Sequence, residues 1–204
     1  MAGFDAGAFR RSGVSSDSDA AVYNVVIARI LGNPDLGELV RYMVQDRRVV
    51  EIGCGSNGGL YLEMIARGAA GYVGVDPFHC PDSEQKEQLL AGGNVYNIPA
   101  DFLTERVDFV TADGVSYLKP VQPGDGIVTV STGTLESGIM PDPAYGDELV
   151  GQIARLVEEG RPSAFHGVDA HYKNLLEGSG LSVPDFRYIT TSDGRRGYLV
   201  TLCR

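Results

Sequence analysis

A chain of 204 residues, 43% hydrophobic and 22% charged, is long enough to bury one sizeable core and has the composition of a soluble globular protein. Its 27 acidic against 17 basic side chains leave a net charge of −10, a field that repels polyanions, so no nucleic-acid partner is expected. The basic clusters are pairs only (Arg10-Arg11, Arg47-Arg48, Arg195-Arg196), no apolar run reaches membrane-spanning length, and Met1 to Ser12 lacks a signal-peptide apolar core. A cytoplasmic protein with no membrane partner is expected.

Taken in chain order, residues 1–16 are rich in Gly, Ala and Ser and predict no element. Asp17 or Ser18 caps a predicted helix with Ala21, Val25, Ile27, Ile30 and Leu31 on its apolar face. Asn33-Pro34 restarts a second helix carrying Leu36, Leu39, Val40 and Met43. Residues 1–46 are therefore expected as an N-terminal helical extension and 47–204 as the main unit, within a single structural domain. From Arg48 the chain alternates. Apolar strand-like runs at 49–52, 72–75, 107–110, 127–130 and 163–165 are separated by predicted helices at 60–67, 83–90 and 144–158 and a short helical turn at 99–105. The ending differs: β-rich runs at 183–190 and 197–203 flank a hairpin-like connection. The expected fold is α/β: a doubly wound, mostly parallel seven-stranded sheet with a C-terminal antiparallel hairpin strand and helices on both faces.

The three cysteines, Cys54, Cys80 and Cys203, are too few and too widely spaced for a disulfide framework and suit a reducing compartment. Cys54 lies inside a glycine turn and reads as a small buried spacer. His79-Cys80 has no second cluster of matched spacing, so no metal site is expected.

The most informative stretch is Glu51-Ile52-Gly53-Cys54-Gly55-Ser56-Asn57-Gly58-Gly59. Glycines after a buried strand allow a ligand to approach backbone amides and tolerate positive φ. Asp76 lies 21 residues beyond Gly55, which suits a carboxylate accepting from two ribose hydroxyls of an adenosine-containing cofactor. The glycine pattern alone fits NAD as well. Glu51 before the glycines, Asp113 at the end of the third strand and the terminal hairpin favour a different cofactor.

Val49-Val50-Glu51-Ile52-Gly53-Cys54-Gly55 resembles the first motif of the class I S-adenosylmethionine-dependent methyltransferases, Val73-Gly74-Val75-Asp76 the second and Asp113-Gly114 the third. Ser131-Thr132-Gly133-Thr134-Leu135-Glu136 is similar to the segment after their fourth strand. Residues 156–161 resemble the turn into their fifth strand, and 175–181 the exit of their last helix. Asn57 departs from a glycine common in the first motif, and asparagine tolerates left-handed backbone. Ser137 stands where many small-molecule members carry histidine. No Asn-Pro-Pro-Tyr-like tetrapeptide follows the fourth strand, which argues against a DNA amino-methylase.

The resemblance implies S-adenosylmethionine as cofactor and S-adenosylhomocysteine as product. It places Glu51, Gly53, Cys54, Gly55, Asp76, Pro77, Asp113, Gly114 and Ser131 at the cofactor, with Asp113 toward the adenine amino group. A small-molecule acceptor is expected first and a protein acceptor second; the oligomeric state stays open. Methyl transfer needs a general base only if the acceptor must lose a proton early. His166, ending the fifth strand, and Glu136 are the candidates for that role. His171, Tyr172, Tyr23 and Asn24 are further rim residues. Two alternatives stand beside this reading: a cofactor-binding assembly protein without catalysis, and a nicotinamide-dependent oxidoreductase.

Overall fold

The computed structural model describes residues 34–91, 96–122, 127–131, 143–157, 163–166, 170–180, 182–190 and 196–203. Helix α1 (Pro34–Val44) leads into β1 (Arg48–Ile52), α2 (Tyr61–Ala66) and β2 (Gly71–Val75). Then come α3 (Ser83–Ala91), α4 (Ala100–Arg106), β3 (Val107–Val110), α5 (Gly114–Leu118) and β4 (Ile127–Ser131). The C-terminal part is α6 (Pro143–Leu156), β5 (Ser163–His166), α7 (Ala170–Gly178), β6 (Ser182–Thr190) and β7 (Arg196–Cys203). The helix expected near residues 17–31 lies outside the described residues.

Strands β1 to β4 form a parallel ladder in the order β3-β2-β1-β4. Chain order reverses at β1: β2 and β3 extend the sheet one way, and the chain then returns to place β4 on β1's other edge. Such a reversal opens a crevice at the carboxyl ends of the two central strands. In register, Ile52 pairs with Val75 on one side and with Ser131 on the other, and Val75 pairs with Val110. The glycine turn, Asp76 and Ser131 therefore share one edge of the sheet.

A second ladder, β5-β7-β6, has β7 antiparallel to both neighbours. The seven strands expected in one sheet thus fall into two hydrogen-bonded ladders among the described residues. Strands β4 and β5 nevertheless lie side by side. The difference is in backbone bonding, with β5 only four residues long and its ladder partner being β7.

Side-chain alternation along the parallel strands sorts the core into two layers. Val50, Ile52, Val73 and Val75 pack with Val115 and Leu118 of α5, Leu149 and Ile153 of α6 and Leu176 of α7. Val49, Tyr72 and Val107 face the opposite side, with Met43 and Val44 of α1, Met64 and Ile65 of α2, and Leu103 of α4. Both faces are thereby covered, as a buried parallel sheet requires. No described helix is long and apolar enough to cross a membrane.

Candidate cofactor site

The turn after β1 contains four left-handed glycines: Gly53 (φ 84°), Gly55 (65°), Gly58 (75°) and Gly59 (67°). Asn57 has no need of left-handed backbone; its side chain accepts from the Gly59 N–H at 3.3 Å. The turn is pinned to the end of β2, where the Val75 carbonyl accepts from Gly53 N at 2.7 Å and Cys54 N at 3.4 Å.

Glu51 holds the turn from beneath. Its side chain is fully buried, and Oε2 accepts from the Leu60 N–H at 2.8 Å, serving the start of α2. The Tyr72 hydroxyl lies 2.7 Å from the same oxygen and 2.9 Å from the Gly58 carbonyl. Burial and then the Glu51 charge push the Tyr72 phenol well above its ordinary range, so the ring stays neutral. A β-carbon on Gly59 would sit 2.6 Å from the Glu51 carboxylate, so only glycine fits over it. As a buried carboxylate before the glycines is expected to do, Glu51 lies below the turn and fixes it.

Asp76, 8% exposed, gathers three backbone amides. Oδ1 accepts from Phe78 N at 2.8 Å and His79 N at 2.7 Å, while Oδ2 accepts from Gly55 N at 3.3 Å. One carboxylate thus orders its own loop, with Pro77 inside it, and ties that loop to the glycine turn. A carboxylate offers about four acceptor positions, so capacity remains for a hydroxyl at Oδ2.

Asp113 caps α5, its Oδ1 accepting from Ser116 N at 2.9 Å. That contact explains why a carboxylate follows β3, and it fixes one oxygen in place. The next amide, Gly114 N–H, donates at 2.9 Å to the hydroxyl of Tyr145 on α6. Burial, then the charge of Asp113, pushes the Tyr145 phenol up to about 12. A β-carbon on Gly114 would meet Ile52 Cγ2 at 2.5 Å, so the chain passes tight against β1 here.

Sequence reasoning missed Tyr145, Tyr72 and Phe109. Tyr61, Tyr72 and Phe109 form a three-ring cluster with centroids 6.3 Å apart, and Phe109 lies under Gly58 and Gly74. The signals existed only as apolar positions on strands; nothing in the spacing assigned them to the turn. Ser131 ends β4 opposite Ile52, and His166 ends β5 opposite Leu199. Glu136, Tyr23 and Asn24 lie outside the described residues. The sulfurs of Cys54 and Cys80 meet against Gly74: a β-carbon there would lie 2.8 Å from the Cys54 Sγ, and Cys80 donates to the Gly74 carbonyl at 3.8 Å. A separate cleft of about 450 Å³ lies at the amino ends of β1 to β3, between Arg48, Lys86 and Arg106, away from the turn. Its Lys86 pairs with Asp108 at 3.0 Å.

No protein-family model and no curated protein sequence matches the chain. Solved structures do. An S-adenosylmethionine-dependent methyltransferase from Methanosarcina mazei superposes with a TM-score of 0.57 at 15% identity, covering 80% of this chain and 95% of the other. The N-methyltransferase NodS from Bradyrhizobium japonicum gives 0.57 at 11% identity, over 86% and 95%. The B. subtilis m1A22 tRNA methyltransferase TrmK gives 0.55 at 11% identity, over 83% of this chain and 64% of that one. The chain has the fold of class I S-adenosylmethionine-dependent methyltransferases. The presence of tRNA methyltransferases among the structures sharing it corrects the exclusion of nucleic acid. Net charge is summed over the whole surface, whereas a polyanion is bound by a local patch, so −10 does not decide the matter.

Proposed function

We propose, from the fold shared with these methyltransferases, that the chain binds S-adenosylmethionine at the carboxyl edge of β1 and β2 and transfers its methyl group to an acceptor. The observation that carries this reading is Asp76, whose Oδ2 accepts from Gly55 N across the crevice between the two strands. A carboxylate already anchored by Phe78 and His79 keeps its second oxygen beside the glycine turn, where the ribose of an adenosine cofactor would lie. Gly53, Cys54 and Gly55 would supply the close backbone approach, Pro77 the wall beside the ribose, and Asp113 with Gly114 the adenine end. Ser131 would stand at the β4 side. When bound, the cofactor supplies a methyl group already activated on sulfur; the chain's task is to hold it, exclude water and align an acceptor. His166 at the end of β5 and Glu136 after β4 are the proposed proton acceptors, should the acceptor need deprotonation.

The fold leaves the acceptor class open, because function resides in loops grafted on it. Small molecules, proteins and RNA all belong in the acceptor screen. The deciding experiment is calorimetric titration with S-adenosylhomocysteine, with NADH as the rival ligand. Binding of S-adenosylhomocysteine is expected, and Asp76→Ala is expected to abolish it. Undiminished binding in that variant would sink the ribose assignment, and binding of NADH alone would replace the methyltransferase reading with an oxidoreductase.

A further inference from the structure

The two thiols at Gly74 come from different segments: Cys54 from the glycine turn and Cys80 from the loop that Asp76 orders. Both sulfurs lie against the same residue, Cys54 Sγ on the side where a Gly74 β-carbon would stand and Cys80 Sγ at the Gly74 carbonyl. Cys54 is 1% exposed, while Cys80 is partly exposed and reachable from solvent. We propose that Cys54 and Cys80 form a reversible disulfide in response to peroxide, and that this bond switches off cofactor binding. The second half of the proposal rests on the cofactor reading given above; the first does not.

The pair is polarised for this chemistry. The hydrogen bond with Cys54 lowers the Cys80 thiol below its usual range, against the effect of burial. The same bond, together with burial and the charge of Glu51, raises Cys54 far above its own. Cys80 is also the sulfur an oxidant can reach, since Cys54 is buried. Its thiolate attacks hydrogen peroxide, forming an S–O bond and breaking the O–O bond, and the departing hydroxide leaves as water after taking a proton. Cys54 sulfur then attacks the Cys80 sulfenic acid. The S–S bond forms, the S–O bond breaks, and hydroxide departs with the Cys54 proton as a second water. Two thiols and one peroxide give one disulfide and two waters, with two electrons passing from sulfur to oxygen.

A disulfide is about 2 Å long, shorter than any thiol–thiol hydrogen bond, so the turn and the Asp76 loop must draw together over Gly74. Little slack exists there, because a β-carbon on Gly74 would already lie 2.7 Å from the Phe109 ring. The displacement falls on the contact between Gly55 N and Asp76, the one on which the cofactor reading depends.

The test uses the full chain, reduced and then treated with hydrogen peroxide. Peptide mapping by mass spectrometry should find Cys54 linked to Cys80 with the loss of two hydrogens. S-adenosylhomocysteine affinity should fall about tenfold or more and return with dithiothreitol. By linkage, excess S-adenosylhomocysteine should slow the crosslinking. Cys80→Ser should bind S-adenosylhomocysteine like the wild type and lose all sensitivity to peroxide. A link to Cys203, over-oxidation of Cys80 without a link, or a Cys54–Cys80 link that leaves affinity unchanged would each overturn the switch. Failure of the reduced protein to bind S-adenosylhomocysteine would overturn the cofactor reading and the switch with it, while mass alone would still decide the bond.

Discussion

Among single residues, Gly59 leaves no room for a side chain. Its φ of 67° costs an L-residue about 1 kcal/mol or more, and an added β-carbon would press on a buried carboxylate that cannot retreat. Gly59→Ala is expected to destabilise the fold by roughly 2–4 kcal/mol in urea unfolding, through combined strain and overpacking. Tyr145 makes a pH-dependent contribution. Its phenol rises from 10.0 to about 12 in the folded chain, so between those values the folded state holds a proton that the unfolded state has released. Stability present below pH 10 therefore declines as pH rises toward 12, by up to about 2–3 kcal/mol. Tyr145→Phe should be less stable at neutral pH by about 1–3 kcal/mol, because the Gly114 N–H loses its acceptor. The same variant should lose less than the wild type between pH 9.5 and 11.5, roughly, when unfolding is followed by circular dichroism.

Elements, by contrast, were largely legible from pattern. The runs at 49–52, 72–75 and 107–110 stand as β1, β2 and β3, and the helical spacing at 83–90 and 144–158 became α3 and α6 within two residues at each end. Apolar runs bounded by turn residues carry that information locally. Helix α5 was not foreseen: five residues hold too little periodicity, and only Asp113 at its start marks it. The turn's glycines and Asp76 were legible because backbone geometry restricts their residue types. The supports from Tyr72, Phe109 and Tyr145 were not, because an aromatic residue on a strand or helix reads as core whether or not its hydroxyl has a partner. Arg155 is another such support. From α6 it donates to the carbonyls of Val121 at 2.7 Å and Leu118 at 2.8 Å, closing the end of α5. Arg155→Met keeps the stem and removes those bonds, and is expected to cost about 1.5–3 kcal/mol in thermal or urea unfolding. No measurable loss would show that water takes over both carbonyls.

At the scale of the whole molecule, the four-stranded ladder brings into one crevice residues that are far apart in the chain. Gly55 and Asp76 meet because β1 and β2 are parallel neighbours in register, and Tyr145 reaches Gly114 because α5 and α6 share a face. Overall charge proved the poorest guide. It is a sum that contains no geometry, and the fold is shared by enzymes whose names include both an N-methyltransferase and tRNA methyltransferases.

The buried Glu51 carboxylate has one more consequence, for hydrogen exchange. It joins β1 to Leu60 N directly and to β2 through Tyr72, so the Leu60 amide can open only when both strands separate from their packing. A loop amide beside a ligand crevice ordinarily exchanges by local fraying. This one should exchange at the rate of the sheet's own amides, such as that of Val50. Glu51→Leu, which removes the acceptor, should release it to fast local exchange while leaving Val50 slow. The floor of the crevice would then open only with the core, while motion is confined to its rim.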